Sequence, residues 1–356
     1  MSEEQENLNT TETPHKRRVR YRGTHPRAFH EKYKEANPEK YADTIEKVIR
    51  KGSTPAGMHI SIMVDEILEV LKIQPGQQGL DATLGYGGHT SAMLEKLQGK
   101  GHMYGLDVDP IEIEKTKKRL ADKGFSEGIF TAYNINFAKI DEVAKETGKF
   151  DFVLADLGVS SMQIDNPERG FSYKVEGPLD LRLDPTHGES AAERLRSLTK
   201  EEFVGMLLDN SDEPYAEEIA RVVFSHMRRG IRFEKTTELR AAVEEALKFL
   251  PEKERTEATK KSCARVFQAL RIDVNSEFEV LYEFLEKLPE ILNPGARVAI
   301  LTFHSGEDRL VKKAFKGLKK SGVFQEINED VIRPTKQECV RNPRAKSTKL
   351  RWGVMG

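Results

Sequence analysis

Residues 79–90 read Gly-Leu-Asp-Ala-Thr-Leu-Gly-Tyr-Gly-Gly-His-Thr. Leu80 to Leu84 has the composition of a short buried strand, and from Gly88 onward the chain reads as a helix. Between them, Gly85, Gly87 and Gly88 allow a sharp turn and a close ligand approach where a Cβ would clash. A helix that starts there presents unpaired N–H groups at its N-terminus. Strand, glycine turn and helix in this order form the cofactor loop of a doubly wound α/β sheet.

The spacing narrows the cofactor. A dinucleotide fingerprint counted from Gly85 needs a sixth-position glycine, and that position is Thr90. A phosphate-binding P-loop needs Gly-Lys-Ser/Thr, which is absent here. What remains is an acid before the turn, Asp81, and a second acid, Asp107, about 20 residues past Gly87, where a carboxylate can accept both ribose hydroxyls. The pattern resembles class I S-adenosylmethionine-dependent methyltransferases with a Rossmann-like α/β fold, which bind no pyrophosphate. A glycine-rich turn in an unrelated α/β protein is the competing reading.

Working outward, 356 residues with 38% hydrophobic and 32% charged side chains predict two or three domains with a real core and a very polar surface. The net charge of −1 gives no global pull toward nucleic acid, so such binding has to come from local patches. Cys263 and Cys339 form no Cys-x-x-Cys pair, and neither a disulfide framework nor a metal site is expected. The acidic, polar start Met-Ser-Glu-Glu-Gln carries no apolar signal, and no run of 18 apolar residues exists. The expectation is a soluble, cytoplasmic protein.

Residues 1–57 read as a basic, partly disordered extension. Within it, Lys16, Arg17, Arg18, Arg20 and Arg22 surround Tyr21, a combination suited to phosphate contact and base stacking or simply to a solvated tail. Tyr41, Ile45, Val48 and Ile49 share one helical face. Residues 58–163 form the first part of the α/β domain: a helix from His59 to about Lys72, the central loop, a helix from Asp109-Pro110, a strand over 128–133, and a fourth strand, Phe150 to Asp156. Asp107, Phe137 and Asp156 all fall at carboxyl ends of strands, where ligands of open parallel sheets bind. Residues 164–262 predict an all-helical insertion, with Thr199 and Glu202 as a capping box. Residues 263–356 return to the sheet. They start with one long helix carrying Phe267, Leu270, Val274, Phe278 and Leu281, followed by a strand over 297–303 and a helix capped by Ser305 and Asp308. A closing antiparallel pair, 324–327 and 349–354, completes the plan.

With these segments in view, the chain resembles the bacterial 16S rRNA cytosine-N4 methyltransferases of the MraW/RsmH family. The resemblance rests on 59–66, 81–90, Asp156-Leu-Gly-Val-Ser-Ser161, Glu168-Arg-Gly-Phe-Ser172, Gly177 to Pro185, Phe267 to Ile272 with Asn275, Phe303 to Arg309, and Asn342 to Ser347. It implies cofactor contacts at Gly87, Gly88, His89, Asp107, Phe137, Asp156 and Gln163. It also implies methylation of a decoding-centre cytidine, with 16S rRNA or the 30S subunit as partner. The extension before His59 and Gly306, where the family usually has leucine, depart from the pattern, as in extended second copies. These departures bear on the target nucleotide more than on the chemistry.

The exocyclic amine of cytosine is a weak nucleophile, so in-line alignment and a hydrogen-bond acceptor for the amine are the catalytic requirements. Asp156, Ser160 and nearby backbone carbonyls are the candidate acceptors. If Asp156 holds the cofactor, Asp180 and Asp184 become candidates, although both also suit loop-backbone bonding. His304 beyond the fifth strand either meets the base or is structural. Arg228, Arg229, Arg232, Arg341, Arg344, Lys346, Lys349 and Arg351 suit RNA phosphates or a solvated face. Neither cysteine follows a strand end, so no thiolate intermediate is expected. Competing readings are an assembly factor that binds RNA and cofactor without catalysis, and a methyltransferase for DNA or another RNA. Oligomeric state is left open, a homodimer included.

Overall fold

The computed structural model describes residues 61–356. The basic tract, the Tyr41–Ile49 face and His59 lie outside these residues. Seven strands form one sheet among them: β1 (Gln78–Asp81), β2 (His102–Asp107), β3 (Phe130–Asn134), β4 (Phe150–Asp156), β5 (Leu292–Thr302), β6 (Phe324–Ile327) and β7 (Lys349–Met355). Their order is β3-β2-β1-β4-β5-β7-β6. The first five run parallel, and β7 enters antiparallel between β5 and β6. This is the Rossmann-like methyltransferase sheet expected from the sequence. Its order reverses beside β1, which opens the crevice there.

Parallel strands covered on both faces read as apolar runs, and β4 shows why. Val153 and Ala155 pack on one side with Phe284, Leu288, Val311 and Phe315, while Phe152 and Leu154 pack on the other with Ile67, Leu71 and Met93. The Phe152 ring lies over β1, and a Cβ on Gly79 would come within 2.0 Å of it. The first face carries α4 (Ile140–Thr147), α11 (Glu277–Ile291) and α12 (Ser305–Lys320). The second carries α1 (Val64–Leu71), α2 (Gly88–Leu97) and α3 (Pro110–Asp122).

Between β4 and β5 the chain leaves the sheet. After α5 (Ser161–Asp165) and ordered loops come α6 (Ala191–Ser197), α7 (Lys200–Ser211), α8 (Ala216–Arg228), α9 (Thr236–Ala246) and α10 (Glu252–Val274). These enclose a separate apolar core that includes Phe203, Leu207, Ile219, Leu239 and Leu270. Thr199 caps α7 with Glu202 as expected.

Four local expectations need correction. The single long helix is two: Ser276 adopts φ 48°, and the chain turns there between α10 and α11. Apolar periodicity runs through the break because α10 faces the insertion core and α11 faces the sheet. For the same reason a boundary at 262 cuts a continuous helix, whose residues Cys263 to Leu270 belong to the insertion core. The fifth strand begins at Leu292 rather than Arg297, with a bulge in its pairing to β4 that absorbs Pro294 and Gly295. Finally, α12 is capped by His304, not Ser305, and Glu307 reaches back to accept the Phe303 N–H at 2.8 Å. Asp308 instead accepts Lys349 and Arg351.

Candidate active site

A cavity of about 520 Å³ crosses the carboxyl ends of β3, β2, β1, β4 and β5. Asp81 sets its centre without lining it. One carboxylate oxygen accepts the Thr83 N–H at 3.1 Å, and the other accepts the Thr90 hydroxyl at 2.7 Å. These bonds tie the strand end to the first turn of α2. They also end β1 at Asp81, before the Leu84 expected from composition. Gly85 and Gly87 take φ values of 47° and 78°, which favour glycine. A Cβ on Gly88 would sit 2.0 Å from Ser61 Oγ.

Asp107, at the end of β2, accepts the Gly85 N–H and the Asp109 N–H, both at 2.8 Å. Burial pushes its carboxyl up to about 6, against the lowering effect of those two N–H groups. Phe137 lies in the cavity wall, held edge-on against Phe284 with ring centroids 5.2 Å apart. An acid with further lone pairs beside an aromatic edge suits an adenosine. The cradle therefore fits a nucleoside-containing cofactor on the β1–β3 side.

On the β4 side stands Asp156. Its backbone N–H donates to Thr83 Oγ1 at 2.6 Å, and its Oδ2 lies 3.5 Å from His89 Nδ1. Oδ1 is buried in the wall without a hydrogen-bond partner in the protein. Burial pushes this carboxyl up to about 6; His89 pulls it down, while Asp81 and Glu307 push it further up. His89 Nε2 meets the Ile62 carbonyl at 2.9 Å, so that nitrogen carries the proton.

Ser160 caps α5 and accepts the Gln163 N–H at 3.1 Å, while Gln163 Oε1 accepts the Ser160 N–H at 3.0 Å. Gln163 Nε2 donates to Asp109 at 3.2 Å. Gly87, Gly88, His89, Asp107, Phe137, Asp156, Ser160 and Gln163 all line this one cavity. Asp180 is not among its lining residues. Its two oxygens hold the Arg182 guanidinium at 2.8 and 2.7 Å, and one of them also accepts the Arg182 N–H. Asp184 is likewise committed to Thr186 and His187. Both acids shape the loop, and the acceptor role expected of Asp180 is withdrawn.

The β5 end adds a charged wall. Arg271 holds Glu277 with two bonds of 2.7 and 2.8 Å. Glu307 Oε1 lies 3.2 Å from His304 Nε2. Burial alone would raise Glu307, but His304 and Arg271 hold it below the usual range. Arg271 and Glu277 lie on either side of the α10–α11 turn, and nothing in the local sequence points to this pair. Sequence reasoning also missed Asp109, which was legible only as a helix start. Of the basic candidates, Arg351 is buried and paired to Asp308 together with Lys349, and Arg344 pairs with Asp165 at 2.8 Å. Arg228, Arg229, Arg232, Arg341 and Lys346 are exposed.

Comparison with known proteins accords with this geometry. The chain is 66% identical over 343 residues to ribosomal RNA small subunit methyltransferase H 1 of Agathobacter rectalis, covering 96% of this chain and 98% of that protein. It is 59% identical to ribosomal RNA small subunit methyltransferase H 2 of Alkaliphilus metalliredigens, covering 98% and 99%. Ribosomal RNA small subunit methyltransferase H of Dictyoglomus turgidum is 38% identical and matches 83% of this chain with 97% of its own length. The first two therefore share nearly the whole chain. A family model matches residues 56–354, and the chain belongs to the MraW methylase family.

Proposed function

We propose that this protein transfers the methyl group of S-adenosylmethionine to the exocyclic N4 of a decoding-centre cytidine in the 16S rRNA of the small ribosomal subunit. The observation that carries the reading is the partnerless Oδ1 of Asp156, buried in the wall of the cavity that also holds Asp107. Adjacent strands lie about 4.8 Å apart. A cofactor whose ribose is held at β2 and whose sulfonium reaches β4 therefore leaves the β4–β5 side for the base. S-adenosylmethionine, when bound, supplies an already activated methyl group. The protein's part is alignment, exclusion of water and acceptance of the amine hydrogen.

The Asp156 carboxylate, the Ser160 hydroxyl oxygen and carbonyls of the 157–160 segment are the candidate acceptors for the amine, and the first two residues line the cavity. Such a bond localises the nitrogen lone pair as it attacks. A covalent thiolate route has no support. Cys263 lies in the insertion core with its thiol pushed up to about 12 by burial, and neither cysteine lines the cavity. The 66% identical relative named for small-subunit ribosomal RNA supports the substrate class. Nucleoside mass spectrometry tests the target: 30S subunits incubated with the protein and labelled cofactor should yield N4-methylated cytidine. Label on a ring carbon, or none despite tight cofactor binding, would defeat the proposal.

A further inference from the structure

One buried carboxylate joins the cofactor side of the cavity to the loop that enters the helical insertion. Asp109 is fully buried and caps α3, where one oxygen accepts the N–H groups of Ile111 and Glu112 at 3.0 and 3.3 Å. Its other oxygen accepts Arg169 Nη1 at 2.6 Å and Gln163 Nε2 at 3.2 Å. The second guanidinium nitrogen of Arg169 donates to the carbonyls of Arg182 and Leu183 at 3.1 and 2.8 Å. Leu183 lines the cavity. Two residues earlier, buried Leu181 is held at φ 63°, a conformation a branched side chain keeps only when its surroundings enforce it. The same hub faces the cofactor, because the Asp109 N–H donates to Asp107.

We propose that Arg169 is a positioning residue that transmits cofactor binding at Asp107, through Asp109, to the 181–183 loop and so sets Leu183 against the acceptor side of the cavity. This rests on the reading of the cavity as a methyl-transfer site. A planar guanidinium can grip a carboxylate with one nitrogen and two carbonyls with the other; a lysine ammonium, a single point, cannot span both.

The test compares wild type with Arg169→Lys and Asp109→Asn. Asparagine caps a helix as well as aspartate, so Asp109→Asn keeps the α3 cap through its Oδ1, while an amide N–H in place of Oδ2 faces the Arg169 and Gln163 donors and breaks both of those bonds. In wild type, S-adenosylhomocysteine should slow amide hydrogen exchange at 181 and 183 at least fivefold. In both variants that response should disappear, while S-adenosylhomocysteine affinity by calorimetry stays within threefold. Single-turnover methyl transfer to unmethylated 30S subunits should fall at least tenfold at saturating cofactor. Exchange at 181 and 183 that answers the ligand equally in wild type and variants would overturn the proposal, as would a transfer rate that falls only as far as cofactor affinity. The exchange measurement needs no acceptor. Failure of wild type to methylate 30S subunits therefore counts against the substrate reading, and the exchange result decides the role of Arg169 separately.

Discussion

Asp107 and Asp156 end β2 and β4, the strands on either side of β1, yet their surroundings give them different work. Asp107 is already braced by two backbone N–H groups, so it can present its remaining lone pairs to hydroxyls at a fixed angle. Each charge-assisted bond contributes on the order of 1.5–3 kcal/mol. Asp107→Ala should therefore weaken S-adenosylmethionine binding at least tenfold, and calorimetry that finds unchanged affinity would remove Asp107 from the ribose site. Asp156 keeps one oxygen without a partner and titrates at about 6. Its folded value lies above the ordinary 3.8, so its contribution to stability is fully present below that value and is lost as pH rises through about 6. Accepting the amine hydrogen needs the ionised form. The rate constant kcat/KM should therefore rise through pH about 6 and level off above it, with Asp107 reinforcing the same limb through its own value of about 6. Asp156→Asn should abolish most of the activity. A wild-type profile flat between pH 5 and 8 would contradict the assignment.

Among the elements, the turn between α10 and α11 matters most to the site. Asn275 ends α10, and its side chain accepts the Leu183 N–H at 2.7 Å and donates to the Leu181 carbonyl at 2.8 Å. The helix break thus places the far support of the loop that Arg169 holds from the other side. Asn275→Ala leaves the half-buried Leu183 N–H and the Leu181 carbonyl without these partners, which should cost about 1–3 kcal/mol. Urea denaturation would measure the loss, and a change below about 0.5 kcal/mol, the range of an ordinary surface substitution, would show that the loop does not depend on it.

For the molecule as a whole, the strand ends of the sheet and α10, returning from the helical segment, wall the same cavity. The exposed arginines at 228, 229 and 232 sit on the insertion, and Arg341 and Lys346 sit on the C-terminal segment. The basic tract at Lys16 to Arg22 adds five cations to the sequence. Removing residues 1–57 should lower RNA affinity and flatten its salt dependence by about 0.7–0.9 log units per lost phosphate contact. Cofactor binding should persist. Filter binding across a salt series checks this, and an unaltered slope would show that the tract makes no phosphate contacts.

Glycine spacing, strand-end acids and apolar runs by themselves determined the α/β class, the cofactor loop and the order of the strands along the chain, because each is a local property of a few neighbouring residues. That residues 85–88, Asp107, Phe137 and Asp156 meet at one cavity was legible for that reason: strand ends converge wherever the sheet is parallel. Tertiary structure alone decided which acids face the cavity. Asp180 and Asp156 look alike in sequence, but an arginine two residues away claims Asp180. It also decided that Arg169 would find Asp109 and that Arg271 would find Glu277 across the α10–α11 break. Such pairings depend on how the insertion packs back on the sheet, and no periodicity within either segment encodes that.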